Sequence, residues 1–290
     1  MMSEGLSVRG SELLKLCDGA ADRVASAVRD MVGTASAGQK VNMGADGTPT
    51  KRIDRAAENA VLEALSASGL RFRVLSEEIG EVSIGGRCGM DDAALPGRKK
   101  AGERPDYFLH LDPLDGTFNA LSGIPFYSVS IFLSGRETSF AYVRDLASGG
   151  RYYAEAGRGA YCGQGERIAV SDGRDLSSFS ISAYTLRPHT GRLAGIGDTV
   201  RRIRTLGSAS LEMALVACGR LDAFVDLRGM MRVVDVAAGK LLIEEAGGTV
   251  TDASGSSLQL GREMWQRKDL IGSNGLRHAE LLRLIGGGAD

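Results

Sequence analysis

Residues 111–119 read LDPLDGTFN, and this stretch indicates the fold and the chemistry of the chain more strongly than any other. An apolar run predicts a buried strand that ends directly in two carboxylates, Asp112 and Asp115. Pro113 stiffens the backbone between them, and Gly116 lets the chain turn and bring bare amide groups close to a ligand. Carboxylate oxygens next to exposed amides suit a divalent metal ion together with a phosphate group. We therefore predict a metal-dependent phosphate site here.

Two other interpretations of this stretch are weaker. A solvated acidic turn would explain the Asp-Gly pair, but it would not explain a strand that ends in two acids and a Gly-Thr pair. A haloacid dehalogenase would also contain the letters DGT. That family places its two acids two residues apart and near the N-terminus, whereas here they are three residues apart and lie in the middle of the chain.

The composition limits the classes of function. The chain has 290 residues, which is enough for one large domain or two closely packed ones. Its net charge is −1, so it has no general basic field for nucleic acid. We expect no membrane span and no signal peptide, because the apolar runs are short and the first residues lack the required pattern. Four dispersed cysteines fit free thiols in a reducing cytoplasm, and the three histidines lack zinc-ligand spacing.

Periodicity along the chain favours an α+β fold with layered sheets and helices over a doubly wound sheet. Helices are expected at residues 11–32, 54–67, 210–218 and 278–285, and in the segment that starts at Asp235. Strands are expected at residues 72–75, 107–111, 127–133, 139–143, 151–155, 167–170, 179–183, 222–225, 249–251 and 270–273. Segments without periodicity predict a mobile loop at 33–50, a surface insertion at 82–106 and a glycine-rich turn at 157–165.

Three further acids lie where predicted elements begin or end. Glu77 follows a short strand in VLSEEIG, Asp54 starts a helix in KRIDRAAE, and Asp235 opens a helix in RVVDVAAGK. Taken alone, Glu77 fits a surface turn, and the two aspartates fit helix caps. Taken with Asp112 and Asp115, Glu77 becomes a candidate third carboxylate for a metal, and an aspartate that caps a helix, such as Asp235, can also hold a metal ion.

Four sequence blocks in this order resemble the inositol monophosphatase family of Mg²⁺-dependent, lithium-sensitive sugar phosphatases. The blocks are T-x-x-x-D at 50–54, SEE at 76–78, LDPLDGTFN at 111–119 and VVDVAAGKLLIEEAGG at 233–248. The resemblance covers nearly the whole chain, and the four blocks in this order are far more specific than any one of them. Within the family, residues 124–131 and 202–235 most resemble the archaeal type, which acts on both inositol monophosphate and fructose 1,6-bisphosphate.

The resemblance implies a layered αβαβα sandwich. Residues 1–180 would form an N-terminal α+β half that carries the DPLDGT loop, and residues 181–290 a C-terminal α/β half that completes the site. It also implies a homodimer that acts on a small phosphate monoester in the cytoplasm, with no nucleic-acid or membrane partner.

The resemblance further implies two or three Mg²⁺ ions in each site, and Mn²⁺ is an alternative because it also favours oxygen ligands. The implied metal ligands are Glu77, Asp112, the carbonyl of Leu114, Asp115 and Asp235. The implied catalytic residues are Asp54, Thr117 and Glu77, of which the first two would orient the attacking water and help to deprotonate it.

The same resemblance implies a set of substrate-binding residues, namely Asp115, Gly116, Thr117, Arg204, Gly207, Ala209, Asp226 and Arg228. Arg204 and Arg228 are candidates for a second phosphate or a sugar hydroxyl, and surface salt bridges are an equally good explanation of them. Tyr184 and Arg187 are weaker candidates. Asp226 lies two residues farther from Asp235 than the corresponding acid in the animal inositol enzymes.

We expect hydrolysis of a sugar or inositol phosphate by in-line attack of a water that the metal activates. A 3′(2′),5′-bisphosphate nucleotidase and a histidinol phosphatase are alternatives on the same fold. A protein that senses metal or phosphate without catalysis is a third alternative. The presence of all five expected acids and of Thr117 favours catalysis over sensing.

Overall fold

The structure is a computed structural model that describes residues 5–45, 47–85, 104–185, 187, 189–258 and 267–286. Within these ranges the helices are α1 (Val8–Val28), α2 (Arg52–Ala67), α3 (Thr117–Ser122), α4 (Ala194–Thr199), α5 (Ala209–Ala217), α6 (Val233–Glu245) and α7 (His278–Gly286). The strands are β1 (Lys40–Met43), β2 (Pro49–Lys51), β3 (Phe72–Ser76), β4 (Gly80–Ile84), β5 (Tyr107–Asp115), β6 (Ser128–Gly135), β7 (Ser139–Asp145), β8 (Arg151–Glu155), β9 (Gly159–Cys162), β10 (Glu166–Ile168), β11 (Ser180–Tyr184), β12 (Arg202–Arg204), β13 (Ala223–Met231), β14 (Thr249–Thr251) and β15 (Lys268–Ser273).

These elements stack in five layers. Helices α1 and α2 pack on each other and on one face of an eight-stranded sheet, where their apolar side chains form the first core. Helices α5 and α6 lie between this sheet and a five-stranded sheet, and α6 contacts strands of both. A third core lies beyond the five-stranded sheet and includes apolar residues of α4 and α7. The predicted α+β fold with an αβαβα layering is confirmed.

Helix α1 illustrates how the local sequence selects this arrangement. The Ser7 hydroxyl accepts a hydrogen bond from the Gly10 amide at 2.8 Å and caps the helix. Buried residues recur every three or four positions between Leu13 and Val28, so one face of the helix is apolar. The helix expected at 11–32 therefore exists, but it begins three residues earlier and ends at Val28.

The strand order brings two parallel strands together in the first sheet. The eight-stranded sheet has the order β10-β9-β8-β7-β6-β5-β3-β4, and the five-stranded sheet has the order β12-β11-β13-β15-β14. Strand β5 runs parallel to β3 and antiparallel to β6, and Ser76 of β3 lies opposite Leu111 of β5. Parallel neighbours end at the same edge of a sheet, so the residues that follow these two emerge side by side.

Three segments differ from the expectation. Residues 33–50, expected to be a mobile loop, contain β1 and the first two residues of β2, which pairs with β1 in antiparallel fashion. All side chains of β1 are exposed, which explains why the sequence shows no alternation of apolar and polar residues there. The start of the insertion expected at 82–106 belongs to β4, and residues 86–103 lie outside the described residues. The glycine-rich turn expected at 157–165 contains β9, which pairs with β8 and β10.

The short elements α3, α4 and β12 were missed as well. They have six, six and three residues, which is too few to establish a period. The division of the chain into residues 1–180 and 181–290 stays a prediction, because the layer of α5 and α6 packs against both sheets. In the described part of the chain, no helix combines the length and the apolar character that crossing a bilayer requires. Cys17, Cys162 and Cys218 are free thiols there, as predicted.

Candidate active site

A bulge in β5 determines how the two acids of LDPLDGTFN point. Asp112 lies opposite Ser130 of β6 and Asp115 lies opposite Ser128, so a three-residue step of β5 faces a two-residue step of β6. In a regular strand, residues three apart point to opposite faces, and one extra residue returns the second to the face of the first. Pro113 lies inside the bulge, where its lack of an N–H costs the ladder nothing. The bulge therefore places both aspartates on one face of the sheet.

Three carboxylates from three different elements meet at this edge of the sheet. Glu77 directly follows β3, Asp112 lies in the parallel strand β5, and Asp235 lies in the first turn of α6. One carboxylate oxygen from each lies within 4.8 Å of the other two. Oxygen donors at this spacing suit Mg²⁺ and similar hard cations. This acid cluster, defined by Glu77, Asp112 and Asp235, could hold a metal ion.

Burial and repulsion from neighbouring carboxylates raise the pKa values of Asp112 and Glu77. Burial raises the pKa of Asp112 well above its ordinary value, and the nearby charges of Glu77, Asp115 and Asp235 raise it further. Burial also raises the pKa of Glu77 to about 7, although Arg232 acts in the opposite direction. The carboxylates therefore need positive charge beside them to stay ionised together at neutral pH.

Asp54 and Thr117 form a hydrogen-bonded pair. The Thr117 hydroxyl lies 2.9 Å from Asp54 Oδ1 and 3.1 Å from the carbonyl oxygen of Leu114, and either oxygen can accept its hydrogen. Asp54 is the third residue of α2 and accepts the amide of Lys51 at 3.2 Å, so it is not the N-cap itself. Burial raises the pKa of Asp54, whereas the hydrogen bond from Thr117 lowers it. With its hydrogen given away, the hydroxyl oxygen is left to accept a hydrogen bond from a water.

The start of α5 holds Asp115. Its Oδ2 accepts hydrogen bonds from the Ser208 hydroxyl at 2.8 Å, the Ser210 amide at 2.7 Å and the Ser210 hydroxyl at 2.6 Å. Burial raises the pKa of Asp115, and the bonds from Ser210 and Ser208 oppose that rise. The sequence analysis gave neither serine this role, although Ser208 lies inside the segment from Gly207 to Ala209 that it expected to line the sugar. Ser128 lies 2.9 and 2.8 Å from their hydroxyls and completes this support.

Two glycines allow close backbone contact beside the acids. Gly116 has φ +90°, and a Cβ there would lie 3.0 Å from the carbonyl oxygen of Gly207. Gly207 has φ +98°, and its Cβ would lie 2.6 Å from the side-chain nitrogen of Asn119. The Gly207 amide donates to the Tyr184 hydroxyl at 2.7 Å, and that hydroxyl donates to the carboxylate of Glu212. The loop expected to bind phosphate and the segment expected to line the sugar are therefore neighbours.

The remaining candidates lie in and beside the five-stranded sheet. Asp226 is fully buried in β13 and accepts hydrogen bonds from the Arg228 amide at 2.9 Å and from its guanidinium Nε at 3.0 Å. The Arg228 guanidinium also lies 4.5 Å from the centre of the Tyr184 ring. Arg204 ends β12, and its buried Nη1 finds no hydrogen-bond partner among the described residues. Arg187 is exposed. Arg228 is thus engaged by Asp226, whereas Arg204 retains a buried donor for an anion.

Arg232 belongs to this site, and the sequence analysis did not single it out. Its Nη2 lies 2.7 Å from Glu77 Oε2 and 2.9 Å from Asp235 Oδ1. It directly precedes α6, and Asp235 also accepts its backbone amide at 2.9 Å. The three-residue spacing in RVVD could have suggested the contact with Asp235. Glu77 and Arg232 are 155 positions apart in the chain, so no local sequence pattern indicates their contact.

An αβαβα sandwich with an acid cluster beside a glycine-containing loop defines a class of metal-dependent phosphoric monoester hydrolases. The model of the inositol monophosphatase family matches residues 11–286, and the chain belongs to this family. The resemblance seen in four sequence blocks is thereby confirmed.

Individual relatives agree with this assignment. The fructose-1,6-bisphosphatase/inositol-1-monophosphatase of Methanothermobacter thermautotrophicus is 36% identical over 276 residues, which cover 91% of this chain and 93% of that protein. The bifunctional NADP phosphatase/NAD kinase of Methanococcus maripaludis is 34% identical, and the match covers 95% of this chain but 49% of that longer protein. A solved structure from Pyrococcus horikoshii, described as similar to inositol-1 monophosphatase, has a TM-score of 0.77 at 29% identity and covers 98% of this chain and 100% of that one.

Proposed function

We propose that this chain hydrolyses fructose 1,6-bisphosphate, inositol 1-phosphate or both, and that it uses Mg²⁺. The meeting of Glu77, Asp112 and Asp235 within 4.8 Å of one another carries the proposal. Both substrates follow from the sequence resemblance, and the name of the Methanothermobacter relative contains both activities. Mn²⁺ remains an alternative ion because it accepts the same oxygen ligands.

The donor atoms fit a hard divalent cation. The cluster contains carboxylates alone, and soft sulfur ligands are not part of it. The Ser130 hydroxyl, on the strand position opposite Asp112, is buried without a hydrogen-bond partner in the described part of the chain. The proposed ligands are Glu77, Asp112, the Leu114 carbonyl, Asp115 and Asp235. When bound, two or three Mg²⁺ ions would supply positive charge for the phosphate and lower the pKa of a water.

The protein groups would position the reactants and take up the proton. The amides of Gly116 and Thr117 would bind the phosphate where the chain enters α3. The Thr117 hydroxyl would orient the attacking water, and Asp54 would accept a proton more readily than an ordinary aspartate because its pKa is raised. Glu77 would contribute to the reaction by helping to hold the metal ions. The groups expected to line the sugar are Gly207, Ala209 and Asp226.

Phosphate release from fructose 1,6-bisphosphate and inositol 1-phosphate, at equal concentrations with Mg²⁺, tests the proposal. Comparable rates on both would support dual specificity, and activity on one alone would support a narrower enzyme. Both activities should disappear with EDTA and return with Mg²⁺. Parallel assays with adenosine 3′,5′-bisphosphate, histidinol phosphate and NADP cover the alternatives. Release from these alone would contradict the proposed substrates, and no release from any of them would favour a sensor.

Replacement of Arg204 by glutamine should impair hydrolysis of fructose 1,6-bisphosphate selectively. The bisphosphate has a second phosphate, to which we assign the unpartnered Nη1 of Arg204, and inositol 1-phosphate has none. Loss of a hydrogen bond to a charged group costs about 1.5–3 kcal/mol, so KM for the bisphosphate should rise roughly 10- to 100-fold. Steady-state kinetics on both substrates would measure this. Equal losses on the two substrates would show that Arg204 does not bind a second phosphate.

A homodimer in the cytoplasm is also part of the proposal. It rests on the family resemblance and on the free thiols of the described cysteines. Light scattering on the purified chain would measure its mass in solution, and a monomeric mass would contradict the dimer.

A further inference from the structure

One positively charged side chain lies among the acids proposed to bind metal. The Arg232 guanidinium touches Glu77 and Asp235 through the same nitrogen, Nη2, at 2.7 and 2.9 Å. Its Nε also lies 3.1 Å from Asp235 Oδ2. The Arg232 side chain is only 17% exposed, so these contacts are shielded from water and from salt. The arginine therefore supplies charge of the sign that the crowded carboxylates require.

Arg232 and a divalent cation would draw on the same two carboxylates. Charge-assisted hydrogen bonds from a guanidinium hold a carboxylate oxygen in a fixed orientation. A metal ligand must turn a lone pair toward the ion, and a cation a few ångströms from a divalent ion repels it. A metal that binds Glu77 and Asp235 must therefore loosen the contacts of Arg232 or accept its repulsion. Either outcome lowers the affinity for the metal.

We propose that Arg232 competes with the catalytic metal for Glu77 and Asp235 and so sets how much metal the enzyme needs. This inference rests on the proposed metal site. Arg232 lies directly before α6, and its backbone amide donates a hydrogen bond to Asp235. This position keeps the guanidinium close enough to pair with Glu77 and Asp235 again whenever the metal leaves. The arginine then replaces the metal as the counter-ion of the acids.

The opposite role for Arg232 predicts the opposite sign. If the guanidinium only orients Glu77 and Asp235 for the metal, then removing it disorders two ligands and weakens metal binding. If it competes, then removing it strengthens metal binding. The direction of the change in affinity separates the two roles, and no measurement of turnover is needed.

The experiment compares wild type with Arg232→Gln by calorimetric titration of the full chain with Mg²⁺. It is done at pH 8, where protons compete less with the metal for Glu77. We expect the Kd for Mg²⁺ to fall about tenfold or more, because a hydrogen bond to a charged group is worth at least that factor. Arg192→Gln is the matched control. Its guanidinium pairs with Asp269 at 2.6 Å, outside the acid cluster, so this variant loses the same charge and should keep the wild-type Kd.

Thermal melting provides the second measurement. In EDTA, Arg232→Gln should melt at a lower temperature than wild type, and saturating Mg²⁺ should raise its melting temperature by more than it raises that of wild type. A Kd that is unchanged or higher in Arg232→Gln would overturn the competition while leaving the metal site intact. A wild-type chain that binds no Mg²⁺ or Mn²⁺ in the titration would overturn the metal site and the competition together.

Discussion

Replacing Asp112 with asparagine should lower phosphate release at saturating Mg²⁺ by a factor on the order of 100 or more. The carboxylate is buried and belongs to the acid cluster with Glu77 and Asp235, and the resemblance assigns it to two metal ions. An amide is neutral and a poorer ligand for a hard cation. A metal ion contributes several kcal/mol to the charge stabilisation of the transition state, and each 1.36 kcal/mol is a tenfold change in rate.

The same substitution should not unfold the protein. Burial holds the pKa of Asp112 well above its ordinary value, so the folded chain binds this proton more tightly than the unfolded chain does. Ionisation of Asp112 therefore costs stability as the pH rises above about 4. Asparagine removes that cost, and in EDTA at pH 7 the variant should melt at the wild-type temperature or above it.

Asp222→Asn is the matched control for Asp112→Asn. Asp222 accepts hydrogen bonds from the Ser171 hydroxyl at 2.6 Å and the Ser180 amide at 2.8 Å, and it lies outside the acid cluster of Glu77, Asp112 and Asp235. We expect this variant to keep wild-type turnover. If Asp112→Asn also kept wild-type turnover at saturating Mg²⁺, the assignment of Asp112 as a metal ligand would be wrong.

The fold could be predicted largely because its strongest patterns are local. The apolar period of α1 and the short strand β14, expected at 249–251 and found at Thr249–Thr251, are visible in the sequence. The layering of the sheets was inferred from the family resemblance, since periodicity indicated only layered sheets and helices. Strand β1 was missed because all its side chains are exposed and no buried face imposes a pattern on it. Strand β2 was missed because three residues are too few to establish a period.

The acids of the candidate site could be predicted from the sequence, but the groups that align them and hydrogen-bond to them could not. Asp112 and Asp115 stand out because a strand ends in them, and the bulge that aligns them depends on the register with β6. The serine support of Asp115 comes from residues 93 and 95 positions away. Such contacts are created by the stacking of α5 against the first sheet, which no local pattern encodes.

Lowering the pH from 8 to 6 should raise the Mg²⁺ concentration for half-saturation about tenfold or more. Glu77 has a pKa raised to about 7, chiefly by burial. Below that pH it carries a proton that the metal must displace, and above it the ligand is already ionised. The pKa of Asp112 is raised as well, so a second proton steepens the dependence. The half-saturating concentration should therefore rise as the pH falls through 7 and change less above pH 8.

Calorimetric titration with Mg²⁺ in buffers of different ionisation enthalpy measures both the metal affinity and the number of protons released on binding. No substrate is present, so no ionisation of a substrate phosphate contributes to the result. At pH 6, wild type should release close to one proton or more per metal-binding event. Glu77→Gln is the comparison: it should bind Mg²⁺ more weakly and release about one proton fewer. The same half-saturating concentration at pH 6 and pH 8, with no proton released, would contradict metal binding by a Glu77 carboxyl whose pKa is raised, because such a carboxyl must lose its proton when it binds a metal at pH 6.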